Sequence, residues 1–254
     1  MKIISDSVAS LHYNDATSIP ITTVTFPEIA LRTRDAHKLR GYFGNVFREH
    51  SPLLHNHFEA DAGTELRYRY AYPLVQYKVI NRVPTLVGLG EGAQLLVELF
   101  LKIRTLDIDG REYPILSKHI NHQQATVEVG NALNKYRFET LWMPLNQTNH
   151  VEYVNADESK QQALLQRILQ NNILAFLKGV GAYQPDLPRL MILLNVQGQT
   201  TTQFKNQTML AFTGDFVVNA TLPDGIGLGK SVARGFGSIV ALQRCYDGRE
   251  ITKP

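Results

Sequence analysis

The sequence predicts an α+β fold built from two similar halves, on three observations. Short β-branched runs alternate with longer stretches of helical apolar period. The order strand, helix, strands, helix, strand is complete by residue 118, and a less regular version of it follows from residue 125. At 254 residues the chain accommodates two domains of ordinary size. The expected boundaries are therefore 1–118 and 125–254, with the junction in the polar stretch Ser117 to Gln124.

The first half opens on a strand over Ile19 to Phe26, rich in β-branched residues. Asp35 is placed to cap a helix whose Leu39, Tyr42, Phe43, Val46 and Phe47 make one apolar face. Leu66 to Tyr72 and Leu74 to Ile80 read as strands around Pro73, and a turn at Asn81-Arg82 leads to a third over Pro84 to Leu89. Leu95, Leu96, Leu99, Phe100 and Ile103 mark a second helix over Glu91 to Arg104, and Asp109-Gly110 reads as a hairpin turn. This is the order of a ferredoxin-like (RRM-like) unit.

The second half offers strands at Ala125 to Val129 and Tyr136 to Leu141, then a long helix from Ser159 to Lys178 with Gly179 as its stop. Short strands are expected at Leu190 to Val196, Thr201 to Phe204, Leu210 to Phe212 and Phe216 to Thr221. The whole is read as two tandem ferredoxin-like domains.

Apolar residues make up 44% and charged residues 19%, which excludes an intrinsically disordered chain. The net charge of +3 (26 Lys and Arg against 23 Asp and Glu) is low for a protein that coats a duplex, so any basic surface is local. A single cysteine, Cys245, excludes an internal disulfide and a cysteine-ligated metal cluster. No apolar run is long enough to span a membrane, and MKIISDSVAS is too polar for a secretory leader, so a soluble cytoplasmic protein with no membrane partner is expected.

The most specific local signal runs from Pro223 to Ile239 and holds Gly225, Gly227, Gly229, Gly235 and Gly237. Glycines permit positive φ and close backbone approach. Such a loop can aim N–H groups at phosphate oxygens, while Lys230, Ser231 and Arg234 add charge and a hydroxyl. A nucleotide, a polynucleotide and a ligand-free hairpin all fit the glycines. A nucleotide-binding P-loop fails on spacing, because Asp224 stands where its first glycine belongs.

Gly-Leu-Gly-Lys-Ser-Val-Ala-Arg-Gly-Phe-Gly-Ser-Ile, ending at Ile239, resembles the C-terminal signature of the CRISPR-associated repeat-RNA endonucleases, the Cas-six group of the RAMP superfamily. Leu39 to Gly44, Leu54-His-Asn-His57, Tyr70 to Lys78, Val87 to Gly92, Trp142 to Gln147 and Asn172 to Lys178 are similar as well, closest to the b-type branch. The resemblance implies tandem ferredoxin-like domains and cleavage of precursor CRISPR RNA within the repeat, by 2′-OH attack with neither metal nor cofactor. It implies CRISPR repeat RNA as partner, with other CRISPR-associated proteins and a second copy of the chain as further candidates. A catalytically inactive repeat-RNA-binding subunit and a nucleotide-binding enzyme are the alternatives.

Metal-free RNA cleavage needs a base and an acid, for which histidine is suited. Of eight histidines, His55 and His57 lie two apart in a loop reading, so extended backbone would turn both to one face. They could supply half of a metal site, but no partner stands at a recognised zinc spacing, and no metal is expected. The resemblance assigns catalysis to His57 first and His55 second, with Tyr70 as supporting hydroxyl and Tyr68 as its substitute. His37, off the apolar stripe of the first helix, is the rival base. Lys38, Arg40, Arg67, Arg69, Lys230 and Arg234 are the expected phosphate contacts, together with Ser231 and the loop glycines.

Overall fold

The structure, a computed structural model, describes residues 16–46, 72–204, 207–246 and 249–251. Its elements run β1 (Thr17–Thr25), α1 (Ala36–Val46), β2 (Val75–Ile80), β3 (Val83–Leu89), α2 (Glu91–Phe100), β4 (Thr105–Ile108), β5 (Arg111–Pro114) and β6 (His119–Phe138). There follow α3 (Gln147–Val154), α4 (Glu158–Gly179), β7 (Ile192–Phe204), β8 (Gln207–Thr221), β9 (Ile239–Tyr246) and β10 (Arg249–Ile251). The strand expected over Leu66 to Tyr72 lies outside the described residues except for Tyr72.

In the first half the strand order is β6-β1-β3-β2, and every neighbour is antiparallel. With α1 and α2 as crossovers, this is the ferredoxin-like arrangement. Asn81 and Arg82, at φ 49° and 70°, close the β2–β3 hairpin, a backbone whose twist matches that of the strands it joins. The second half repeats the order as β9-β6-β8-β7, also antiparallel, with α4 as its first crossover. Where a second crossover helix belongs, the chain has only the glycine-rich loop and a 3-10 turn at Val232–Arg234.

Both halves share β6. This strand has 20 residues: its first part pairs with β1 as far as Val127, and from Glu128 it pairs with β8. The stretch 117–124, read as a junction, supplies the opening residues of that strand from His119 on, bonded along β1. Similarly, β7 and β8 each run continuously through what the sequence suggested were two short strands. Alternation alone does not reveal that a strand continues through a polar or glycine-containing stretch.

One face of the first sheet packs Val24, Tyr77, Val79 and Leu86 on Leu39 and Phe43 of α1 and Leu95, Leu96 and Leu99 of α2. Phe43 stacks between Phe26 and Tyr77, with centroids 6.5 and 5.7 Å away. The opposite face, through Ile19, Ile21, Val87 and Leu89, joins a larger core with α4 and the second sheet. The first sheet is therefore covered on both sides, and the two halves are welded by burial of apolar surface.

Three local readings need correction. Asp35 does not cap α1 directly: its carboxylate accepts from the Arg32 N–H at 3.1 Å, closing the 3-10 turn that precedes the helix. Val46 is half exposed, at 49%, and lies outside the core. Gly179 is the last residue of α4 and not its stop. The stop is Gly181, at φ 74°, with Ala182 N–H bonded to the Leu177 carbonyl at 2.8 Å. A side chain on Gly179 would meet Tyr72 Cβ at 2.4 Å, so that glycine serves packing.

Candidate nucleic-acid interface

The glycine-rich loop folds back on itself as an irregular hairpin. Gly225 N–H reaches the Ile239 carbonyl at 2.8 Å, Leu228 N–H the Gly237 carbonyl at 2.9 Å, and Gly237 N–H the Leu141 carbonyl at 2.9 Å. Asp224, the residue that breaks the P-loop spacing, accepts from the Ala241 N–H at 2.8 Å and fixes the start of β9.

These bonds correct the idea of a backbone cradle. The N–H groups of Gly225, Gly227, Gly235 and Gly237 all donate within the protein, to Ile239, Gln76, Val232 and Leu141. Four of the five glycines therefore do not aim their amides at phosphate. Close packing explains two of them: a Cβ on Gly237 would lie 1.9 Å from the Leu228 carbonyl oxygen, and one on Gly235 would lie 2.8 Å from Ala36 Cβ and 3.2 Å from the Tyr77 carbonyl oxygen. What the loop can offer a ligand is its side chains, Lys230, Ser231 and Arg234, all partly exposed.

Gly235 seats the loop on the first half, against the N-terminus of α1 and the backbone of β2. A second anchor is polar. The Gly227 N–H donates to Gln76 Oε1 at 3.0 Å, Gln76 Nε2 donates to the Tyr72 hydroxyl at 2.9 Å, and that hydroxyl donates to the Gly227 carbonyl at 2.8 Å. Burial pushes the Tyr72 phenol well above its ordinary range, so it remains a donor at any working pH.

This seating brings cations from both halves together. Arg40 on α1 and Arg234 on the loop are partly buried, which lowers both pKa values, and the charge of Arg40 lowers that of Arg234 further. Burial also lowers Lys230. A concentration of desolvated positive charge at a seam attracts anions.

His37 sits at the same end of α1, exposed, with Nδ1 2.7 Å from the Arg34 carbonyl. A carbonyl only accepts, so in the neutral ring Nδ1 carries the proton and Nε2 keeps its lone pair, the form a general base requires. Lys38 faces two carboxylates, Asp35 at 2.7 Å and Asp109 of the β4–β5 turn at 2.5 Å, and these raise its pKa. That pairing ties the hairpin to α1. His55, His57, Arg67, Arg69, Tyr68 and Tyr70 lie outside the described residues. Among the described residues, no three His, Cys, Asp or Glu side chains group as a metal site, and no helix is long and apolar enough to cross a membrane.

Sequence reading assigned no role to Tyr72, Gln76 or Lys78. A strand carrying Gln76 and Lys78 at alternate positions looks solvated on that face. Both are buried because the second half covers it.

Two ferredoxin-like halves on one shared strand, with a glycine-rich loop in place of the last crossover helix, define a tandem ferredoxin-like protein. The chain belongs to the Cas6b family: the Cas6b N-terminal domain matches residues 17–126 and the Cas6b C-terminal domain residues 128–242. A crystal structure of Cas6b is 31% identical, superposes with a TM-score of 0.81, and the match covers 89% of this chain and 100% of that one. A second, of the CRISPR RNA processing endoribonuclease Cas6b, is 28% identical with a TM-score of 0.70 over the same shares. An uncharacterised protein of Methanocaldococcus jannaschii is 30% identical over 146 residues, 58% of this chain and 98% of that protein.

Proposed function

We propose that this chain cuts precursor CRISPR RNA within the repeat, without a metal ion, to release guide RNAs. The 2′-OH attacks the adjacent phosphorus, the bond to the 5′-oxygen breaks, and the products carry a 2′,3′-cyclic phosphate and a 5′-OH. A base takes the 2′ proton, and an acid returns one to the departing oxygen. Membership of the Cas6b family, with a solved relative described as a CRISPR RNA processing endoribonuclease, supports the substrate class. The observation that supports the reading is the meeting of Arg40 and Arg234, one cation from each half, at the seam where Gly235 packs on the start of α1.

In this proposal His57 first and His55 second carry the proton transfers, with Tyr70 supporting them, and His37 is the rival base. Arg40, Lys230, Ser231 and Arg234 hold phosphates together with Arg67 and Arg69, while Lys38 chiefly holds α1 against the hairpin. The test is incubation with repeat RNA in EDTA, beside RNA carrying a 2′-deoxy nucleotide at the cut. His57→Ala, His55→Ala and His37→Ala variants are run in parallel. His57→Ala is expected to slow cleavage by about 10²- to 10⁴-fold. A loss confined to His37→Ala transfers the base role to that residue. Binding without cleavage defines a repeat-RNA-binding subunit, and cleavage that requires added metal refutes the mechanism.

A further inference from the structure

The first sheet ends on an uncovered strand. Its order is β6-β1-β3-β2, so as far as Val127 β6 has β1 on one side and, among the described residues, no strand on the other. Residues 119–124 are all exposed. A bare edge offers a row of backbone N–H and C=O groups to any added strand, and proteins usually blunt it with charge, proline or a bulge. The stretch from His119 to Val127 has none of these: it holds no lysine, arginine, carboxylate or proline, and it pairs with β1 without a register shift.

The edge is also held in shape. Thr22 Oγ1 donates to the Ala93 carbonyl at 2.8 Å, so the His122 ring, with Nδ1 2.8 Å away, donates to Thr22. Ser18 Oγ donates to Gln124 Oε1 at 3.2 Å. Two side chains of β6 are thereby tied to β1, an order that an arriving strand does not have to impose.

Beside this edge runs an apolar strip. Ala93, Val97 and Leu101 follow one another at a spacing of one turn on α2, and the Ala93 carbonyl is the one reached by Thr22, the cross-strand partner of His122. Ile120 lies on the same side of the sheet, opposite Val24 of the core beneath α2. Lys118 Nζ donates to the carbonyls of Phe100 and Ile103, and Ile115 N–H to that of Arg104, which sets the chain entering β6 against the end of α2. Leu101 and Leu116 at this junction are 70% and 81% exposed, the two most exposed large apolar side chains among the described residues. Arg104 and Lys118 stand with them, close enough for their charges to repel, and neither has a carboxylate partner among the described residues.

A phosphate backbone would use these cations but gain nothing from the leucines or from an open row of amides and carbonyls. An extended protein segment would use all three. We propose that the β6 edge takes an added strand from another protein, one with apolar side chains at alternate positions turned toward α2 and carboxylates at the end that meets Arg104 and Lys118. The inference is independent of the RNA reading: β2, which carries the seam, is the far edge of the same sheet, so both places can be filled at once.

The test uses the full chain and a fluorescein-labelled synthetic peptide of alternating valine and threonine with two glutamates at one end. Its controls carry lysines in place of the glutamates, or N-methyl groups at alternate residues that block the ladder. Fluorescence anisotropy is expected to show binding of the first peptide alone. In hydrogen exchange, the amides of 119–127 that point away from β1 should slow by about tenfold or more when it binds. Leu101→Ser with Leu116→Ser should weaken binding by about tenfold, and Arg104→Glu should reverse the preference toward the lysine peptide, both with RNA affinity unchanged. Absence of binding, or binding indifferent to N-methylation, overturns the proposal. So does slowed exchange at 119–127 in the chain alone at rising concentration, which makes a second copy the occupant, or with repeat RNA, which makes RNA the occupant.

Discussion

The Tyr72 hydroxyl donates to the carbonyl of Gly227, 155 residues later in the chain, at 2.8 Å. With Gln76 the two close a small, partly buried ring of hydrogen bonds that spans the seam. The position of the glycine loop therefore depends on the first half as much as on the second.

Tyr72→Phe tests that dependence. Removing the oxygen deprives both the Gly227 carbonyl and Gln76 Nε2 of a partner, while the ring keeps its contact with Phe176 at 5.3 Å. Loss of about 2 kcal/mol in urea unfolding is expected. Tyr72→Phe with Gln76→Leu should lose more than Tyr72→Phe alone, since it strands both the N–H and the carbonyl of Gly227.

Arg234→Gln should weaken RNA binding and change its response to salt. A phosphate contact contributes about 0.7 to 0.9 to the slope of log affinity against log salt. The variant should be shallower by that amount in binding measured from 50 to 200 mM salt, conditions that span a steep part of the range. Weaker binding with an unchanged slope would mean that the guanidinium only shapes the loop.

Lys78 gives a stability prediction independent of RNA. Its folded pKa of about 7 lies below the 10.5 of the free side chain, so between those values the unfolded chain binds more protons. Stability therefore rises with pH across that window, at up to about 1.4 kcal/mol per pH unit from this residue, and the contribution levels off below pH 7. Lys78→Met should flatten the rise and melt higher than wild type at pH 7.

Asn219→Ala should be among the more damaging polar substitutions. The amide accepts from the Met191 N–H at 2.7 Å and donates to the carbonyls of Gly130 at 2.9 Å and Arg189 at 3.1 Å. It thereby pins the interruption in β6–β8 pairing between Val129 and Asn134. A loss of about 3 kcal/mol is expected by thermal or urea unfolding, and a change within 0.5 kcal/mol would show that the interruption holds itself together.

Much of this architecture was legible because local period and global fold agree. The β-branched run of β1, the apolar stripe of α4 and the Asp109-Gly110 turn each announced themselves. The unity of β6 was not, since its opening residues, His119 to Gln124, are polar and exposed like those of a linker. The loop is legible from its glycines, yet most of their amides are committed to partners within the protein, which composition does not reveal. Tyr72, Gln76 and Lys78 were passed over for one reason: a polar residue on a strand reads as solvated until another part of the chain, more than 140 residues away, is laid over it.

The shared strand has a mechanical meaning. Beads on a string can swivel, but here the string is itself a hydrogen-bonded spar, and torsion applied to one half is transmitted to the other through the 20 residues of β6. A substrate that grips Arg40 and Arg234 together gains a vise already set to width, with little slack to remove on closing. The same spar frustrates dissection: a gene cut at Val127 would leave the second sheet its strands but uncover the core it shares with Ile19, Ile21, Val87 and Leu89, and a cut a few residues later would take a central strand from it.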